Sequence, residues 1–332
     1  MKCILESDNY ANNKTICLVK TSSTKGNWVS GDELAEELKL SRESIWKAIN
    51  TLKRKGNQIE SRKNLGYKYV GNDSLDEDTI NFYSGMKFED KIFVFDEVTS
   101  TQEFAKQYLS SHEVKQPFIF VANNQTEGHG RRGRNFYSPS DTGLYFSLIL
   151  PNPSHDILKI GLLTTSTAVA VVKVLEQFYK DKNFQLKWVN DIYLGTYKVG
   201  GIITEAALDL ETSSAGNFIM GIGLNLSTKD FPADLSEKAQ GINPEFKIDR
   251  NQLLAEMAKE VINNFANYRK PDLIDEYRKR SLLFGKNVTL KLGTKAVNGQ
   301  VEGISDDGSL ILKAKSGEIQ TFKSGEVVKV DW

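Results

Sequence analysis

Seven consecutive residues, Gly128-His129-Gly130-Arg131-Arg132-Gly133-Arg134, hold three glycines and three arginines. Glycine permits positive φ and lets a ligand approach backbone N–H groups, while arginine presents a planar, permanently charged fork suited to carboxylate and phosphate. Such a loop is suited to an anion; a solvated basic loop without a ligand is the plainer alternative. A second cation stands apart from it. Lys187 interrupts the apolar stretch Gln185-Leu186-Lys187-Trp188-Val189-Asn190-Asp191-Ile192-Tyr193-Leu194. A lysine there either snorkels from an edge strand or meets a negative partner, because burying an unpaired charge is costly.

The loop also satisfies the G-x-G-x-x-G dinucleotide fingerprint, which needs a strand running into it and a helix growing from it. The apolar run from Phe118 to Ala122 stops short of Gly128, and Pro139 stands where the helix would extend, which argues against a Rossmann turn. Around the loop, Ile92 to Phe95, Phe118 to Ala122, Gly143 to Leu150, Gln185 to Leu194, Lys198 to Glu205 and Phe218 to Asn225 read as strands. Ser100 and Thr101 open a helical pattern, as caps or as ligand contacts, and a Thr/Ala/Val-rich helix runs from about Lys159 to Tyr179. Gly200 and Gly201 permit close approach of a ligand or a neighbouring strand. Glu211 to Asn217 reads as a mobile loop that closes over a site.

Before this region lies a basic helix-turn-helix pattern. Ser30-Gly31-Asp32-Glu33 is a capping box, and Ser41 caps a second helix with Ile45, Ala48, Ile49 and Leu52 at i, i+3, i+4 and i+7. Its other face carries Arg42, Trp46, Lys47 and Asn50, the residue types that a recognition helix presents to a major groove. Ile59 and then Arg62-Lys63-Asn64-Leu65-Gly66-Tyr67-Lys68-Tyr69 read as two strands around a turn, a wing. Only Glu43 and Glu60 oppose the cations between Lys39 and Lys68, so positive charge gathers where phosphates would lie. A protein-binding winged helix is the alternative. The acidic run beginning at Asp73 suggests a boundary, and Thr79 to Met86 a connecting helix.

After Asn225, helices begin at Asp249 and Pro271, and from Gly285 five short strands with turns at Asp307-Gly308 and Ser316-Gly317 spell a small SH3-like barrel. A chain of 332 residues exceeds one ordinary core. Lys+Arg 43 against Asp+Glu 43 places any nucleic-acid function in local asymmetry rather than net charge. No apolar run approaches the length of a membrane span, Met1 to Glu6 lacks a signal-peptide core, and Cys3 and Cys17 with three histidines give neither a disulfide framework nor a metal-ligand spacing. A cytoplasmic protein without membrane contact is expected.

Ser100-Thr101, Gln125 through Gly128 to Arg134, Lys187-Trp188-x-Asn190-Asp191, Lys198-Val199-Gly200-Gly201-Ile202 and Gly221-Ile222-Gly223-Leu224-Asn225 together resemble the biotin protein ligase family, in its bifunctional bacterial form that is also the biotin operon repressor. The resemblance implies an α+β chain. Residues 1–72 form a winged helix-turn-helix DNA-binding domain, 73–283 a mixed-sheet, class II synthetase-like catalytic domain for biotin and ATP, and 284–332 an SH3-like C-terminal domain. It implies ATP with Mg2+ as co-substrate, biotin as substrate, and biotinyl-5′-AMP as intermediate and corepressor. Expected partners are biotin carboxyl carrier domains of acetyl-CoA carboxylase or pyruvate carboxylase type, biotin operator DNA, and a second copy of the chain on that DNA.

By the same resemblance Lys187 and Arg131 are catalytic. Ser100, Thr101, Gln125, Gly128, His129, Gly130, Arg132, Arg134, Gly200 and Gly201 join them in binding biotin or its adenylate. Asn190 and Asn225 lie on the nucleotide side, Arg42, Trp46, Lys47, Asn50, Arg62 and Lys63 bind DNA, and no residue binds a metal. A mixed anhydride would need shielding from water, and the Gly/Arg loop and Glu211 to Asn217 are the expected lids. His129 and Val189 depart from the family pattern, which has arginine and proline there. Two other readings stay open: a non-catalytic biotin-sensing repressor, and a lipoate ligase on the same catalytic fold.

Overall fold

The computed structural model describes residues 28–54, 56–72, 74–85, 91–152, 159–209, 214–246 and 248–331. Cys3, Cys17, Asp73, Met86 and residues 211–213 lie outside them. The chain divides into two units, residues 1–90 with 248–256, and residues 91–247 with 257–332.

In the first unit, α1 (Gly31–Leu38) begins at the expected capping box, with Glu33 N–H donating to Ser30 Oγ and Ser30 N–H to Glu33. Lys39 turns the chain left-handed, at φ 55°, into α2 (Arg42–Arg54). Ser44 N–H donates to Ser41 Oγ, and Ile45, Ala48, Ile49 and Leu52 are all buried. The wing is the antiparallel pair β1 (Asn57–Arg62) and β2 (Gly66–Asn72), with Val29 bridged to Tyr67. Helix α3 (Glu77–Ser84) groups with this unit. Asp249 binds α3 and the wing from afar, accepting from Tyr83 Oη at 3.1 Å and Tyr69 Oη at 3.3 Å.

The second unit is built on a seven-stranded mixed sheet. Strands β3 (Ile92–Val98) and β4 (Phe118–Gln125) are parallel, joined through α4 (Thr101–Ser111). The other pairings are antiparallel, among β5 (Gly143–Pro151), β6 (Phe184–Lys187), β7 (Asp191–Leu194), β8 (Tyr197–Asp209) and β9 (Ser214–Asn225). β4 and β5 flank the Gly/Arg loop and run antiparallel, which removes the parallel βαβ unit a dinucleotide fold requires.

Three expectations change. Gln185 to Leu194 is a tight hairpin, β6 and β7, rather than one strand; Lys187 pairs with Asp191 across it, and the Trp188–Val189 peptide in its turn is cis. Ser214 to Asn217 is the start of β9, not a loop, and pairs back to Asp209. Residues 211–213, the rest of that segment, lie outside the described residues. Finally, α5 (Ile160–Phe178) is long and apolar enough to cross a membrane, contrary to the sequence reading, but most of it is buried inside the protein. Its hydroxyls are satisfied at home, Thr167 Oγ1 donating to Leu163 O and Thr165 Oγ1 to Leu162 O, as suits a core helix.

Helices α6 (Arg250–Asn267) and α7 (Pro271–Arg280) follow, and Arg280 anchors α7 to α5 through Glu176 at 2.5 Å. The C-terminal strands are β10 (Asn287–Leu292), β11 (Lys295–Ile304), β12 (Leu310–Lys313), β13 (Ile319–Phe322) and β14 (Glu326–Val330). They form the expected five-stranded antiparallel module, ordered β13-β12-β11-β10-β14, with Gly308 and Gly317 at positive φ in its turns.

Candidate functional site

A cavity of about 660 Å³ opens on the second unit and collects Ser100, Thr101, Gln125, His129, Gly130, Arg131, Arg132, Arg134, Lys187, Asn190, Gly201 and Asn225. Gly128 and Gly200 are not in its wall. A Cβ on Gly128 would lie 2.7 Å from Phe136 O and 2.6 Å from Ser138 Oγ; one on Gly200 would lie 2.6 Å from Leu224 Cδ2. These two glycines serve close packing behind the wall.

One end of the cavity is polar. Gln125 Oε1 accepts from the Thr101 N–H at 2.9 Å and from its hydroxyl at 3.2 Å. The Thr101 and Ser147 hydroxyls are 2.9 Å apart, Ser147 Oγ donates to Gln102 Oε1 at 3.0 Å, and Gln102 Nε2 donates to Glu205 at 2.6 Å. Ser100 occupies the N-cap position of α4 without making a side-chain cap. The floor is β9, and its glycines make room: a Cβ at Gly221 would meet Gln102 Oε1 at 2.6 Å, and one at Gly223 the Phe136 ring at 2.6 Å.

The other wall is cationic. The Gly/Arg loop is held rather than free, since Gly130 N–H donates to Arg134 O and Phe136 N–H to Gly128 O, both at 2.7 Å. Arg132 and Gly133 turn it in the left-handed region, at φ 60° and 68°. Arg131 lies half-buried against Asn190, with Nη1 3.4 Å from Oδ1, while Asn190 Nδ2 donates to Ile202 O at 2.6 Å. Both ends of the Asn190 amide are thus engaged by protein. His129 Nε2 stands 3.3 Å from Glu103 on α4. Burial first, then the neighbouring Arg132, push the Arg131 guanidinium below its ordinary value. Burial likewise lowers Lys187, opposed by Asp191 and reinforced by Lys198. Desolvated cations of this kind favour whatever brings negative charge to them.

Residues 94–225 match the Biotin/lipoate A/B protein ligase family, residues 18–68 an HTH domain, and residues 283–330 the Biotin protein ligase C terminal domain. The chain is thus similar to biotin protein ligases in its central and C-terminal regions. It is 29% identical to the Bifunctional ligase/repressor BirA of Bacillus subtilis over 312 residues, 90% of this chain and 94% of that protein. To the Escherichia coli protein of the same name it is 27% identical over 329 residues, covering 96% and 97%. The structure of the Aquifex aeolicus biotin protein ligase in complex with biotin and ATP superposes with a TM-score of 0.60 at 28% identity, over 71% of this chain and 97% of that one.

Within this ligase framework Ser147 and Glu326 carried no sequence signal of their own, and the motif residues Asp191, Trp188 and Asn225 gain specific contacts or surroundings. Ser147, on an otherwise apolar strand, hydrogen-bonds to the two α4 side chains Thr101 and Gln102. Asp191 binds Lys198 at 2.6 Å. Glu326, on β14, reaches across from the C-terminal module to pair with Arg134. Trp188 Nε1 donates to Gly308 O at 2.9 Å, fastening the turn beside Lys187 to the same module. Asn225 Oδ1 is buried with no hydrogen-bond partner.

In the winged unit the expected DNA-facing residues lie on accessible surface. Trp46 is 59% exposed, Arg42, Lys47, Arg62 and Lys63 are exposed, and Asn50 is half-buried. Several cations are paired within the unit: Arg42 with Asp32, Lys47 with Glu43 at 2.7 Å, and Arg62 with Glu60 at 3.3 Å. Exposed pairs of this kind are weak and screened by solvent, so a phosphate can displace them.

Proposed function

We propose that the protein activates biotin with ATP as biotinyl-5′-AMP and transfers it to a lysine of biotin carboxyl carrier domains of acetyl-CoA carboxylase or pyruvate carboxylase type. The observation that carries this reading is the division of one cavity into a hydrogen-bonding end, at Ser100, Thr101, Gln102, Gln125 and Ser147, and a cationic wall, at Arg131, Lys187 and Lys198. A ureido ring, with one carbonyl acceptor and two N–H donors, uses such an end; the dithiolane of lipoate does not, and its presence there would leave buried polar groups unpaired.

The biotin carboxylate attacks the α-phosphate, and pyrophosphate leaves. Bringing the two anions together needs fixed positive charge, which Arg131 and Lys187 supply, with Lys187 beside the acyl phosphate in both half-reactions. Gly130, Gly201, Arg132, Arg134 and His129 complete the binding surface, and the unpartnered Asn225 acceptor suits a donor on the nucleotide side. Mg2+ arrives on the phosphates of ATP, as is usual for a nucleotide-bound magnesium ion.

The working modules are 1–72 for DNA, 73–283 for chemistry and 284–332 as the C-terminal support, acting in the cytoplasm. As a biotinyl-AMP-bound homodimer the protein represses transcription at a biotin operator, with Arg42, Trp46, Lys47 and Asn50 on the recognition helix and Arg62 and Lys63 on the wing. The test is incubation of the purified protein with biotin and ATP followed by mass spectrometry of the bound small molecule. Retained biotinyl-AMP is the expected result, and retained biotin alone would favour a non-catalytic sensor.

A further inference from the structure

The second half-reaction poses a charge problem that the first does not. The incoming nucleophile is a lysine ammonium, with an ordinary pKa of about 10.4, and the wall it must approach carries Arg131, Arg134, Lys187 and Lys198. Three carboxylates line the cavity. Glu326 is taken by Arg134, and Glu237 is exposed. Asp191 is only 22% exposed at its side chain, faces Lys187 across the β6–β7 hairpin, and holds Lys198 at 2.6 Å.

Resting on the ligase reading above, we propose that Asp191 is a catalytic residue of the transfer step: it receives the acceptor lysine and takes its proton. The ammonium displaces Lys198 from the carboxylate, one N–H proton passes to Asp191, and the freed nitrogen lone pair forms the C–N bond at the acyl carbon. The C–O bond to the phosphate then breaks, AMP leaves with that electron pair, and the nitrogen sheds its second proton to solvent as the amide forms. Lys198 holds Asp191 beforehand and re-pairs with it once the carboxyl has released its proton to solvent. Without the carboxylate, only the fraction of acceptor lysine that is already neutral in solution can enter a cationic site.

The experiment is single-turnover transfer from enzyme preloaded with biotin and ATP to a biotin carboxyl carrier domain, from pH 6.5 to 10, with hydroxylamine, a nucleophile neutral at pH 7, as a parallel acceptor. For Asp191→Asn the expected loss at pH 7 is about 100-fold or more, recovering nearly tenfold per pH unit, while discharge to hydroxylamine falls far less. Asp191→Glu should restore the wild-type profile. A loss independent of pH, or equal for both nucleophiles, overturns the role and makes Asp191 structural. Absence of biotin-dependent pyrophosphate exchange in the wild-type protein would instead overturn the ligase reading itself, and this inference with it.

Discussion

The indole of Trp188 donates to the carbonyl of Gly308 at 2.9 Å, so the residue after the candidate catalytic lysine is fastened to a turn of the C-terminal module. Both groups are buried, where losing a hydrogen-bond donor costs about 1–3 kcal/mol. Trp188→Phe keeps the ring and removes the donor. It should lower the free energy of unfolding in urea by that amount and slow adenylation, measured as pyrophosphate exchange, more than it weakens biotin binding.

Lys187 yields a prediction in which stability and activity move oppositely. Burial lowers its ammonium below the ordinary value, so between that lowered value and the ordinary one the unfolded chain binds more protons than the folded one, and stability rises with pH. At neutral pH the buried charge is a cost. Lys187→Met should therefore raise the thermal midpoint of the ligand-free protein at pH 7 and flatten the alkaline rise in stability, while exchange falls about 100-fold or more. A lower midpoint would show that the lysine is held by compensating contacts.

The glycines of β9 are spatial requirements. Gly223→Ala places a methyl 2.6 Å from the Phe136 ring; relief demands movement of the segment that follows the Arg loop, at about 1–3 kcal/mol. The expected phenotype is a KM for biotin raised about tenfold or more with near-normal folding, read by steady-state exchange and circular dichroism.

Gly66 separates the two activities. It sits at φ 94° in the wing, and a Cβ there would collide with the Val29 carbonyl. Gly66→Ala should abolish specific operator retention in a gel-shift assay at fixed salt, with biotin and ATP present, and leave pyrophosphate exchange within about twofold of wild type, because strain of this kind acts locally.

Local chemistry explains which features could be read from the chain. The Ser30 capping box, the Ile45 to Leu52 stripe and the Asp307-Gly308 turn are short-range patterns whose physics is complete within a few residues. The hairpin at Trp188-Val189-Asn190 escaped because apolar residues flank its turn and no glycine marks it. Ser147, Glu205 and Glu326 acquire meaning only when α4, β5, β8 and β14 assemble, and no spacing in the sequence encodes that meeting. At Gly128 and Gly200 the missing side chains leave room for protein atoms, at Gly200 those of the neighbouring strand that the sequence offered as one of two readings.

Activation of biotin requires one cavity that joins a ureido-type hydrogen-bonding end to a cationic wall. Exchange of labelled pyrophosphate into ATP, run with biotin and in parallel with lipoate, tests that directly. It should proceed with biotin, fail with lipoate, and drop sharply in Arg131→Ala. Exchange driven by lipoate, or none with biotin, would contradict it.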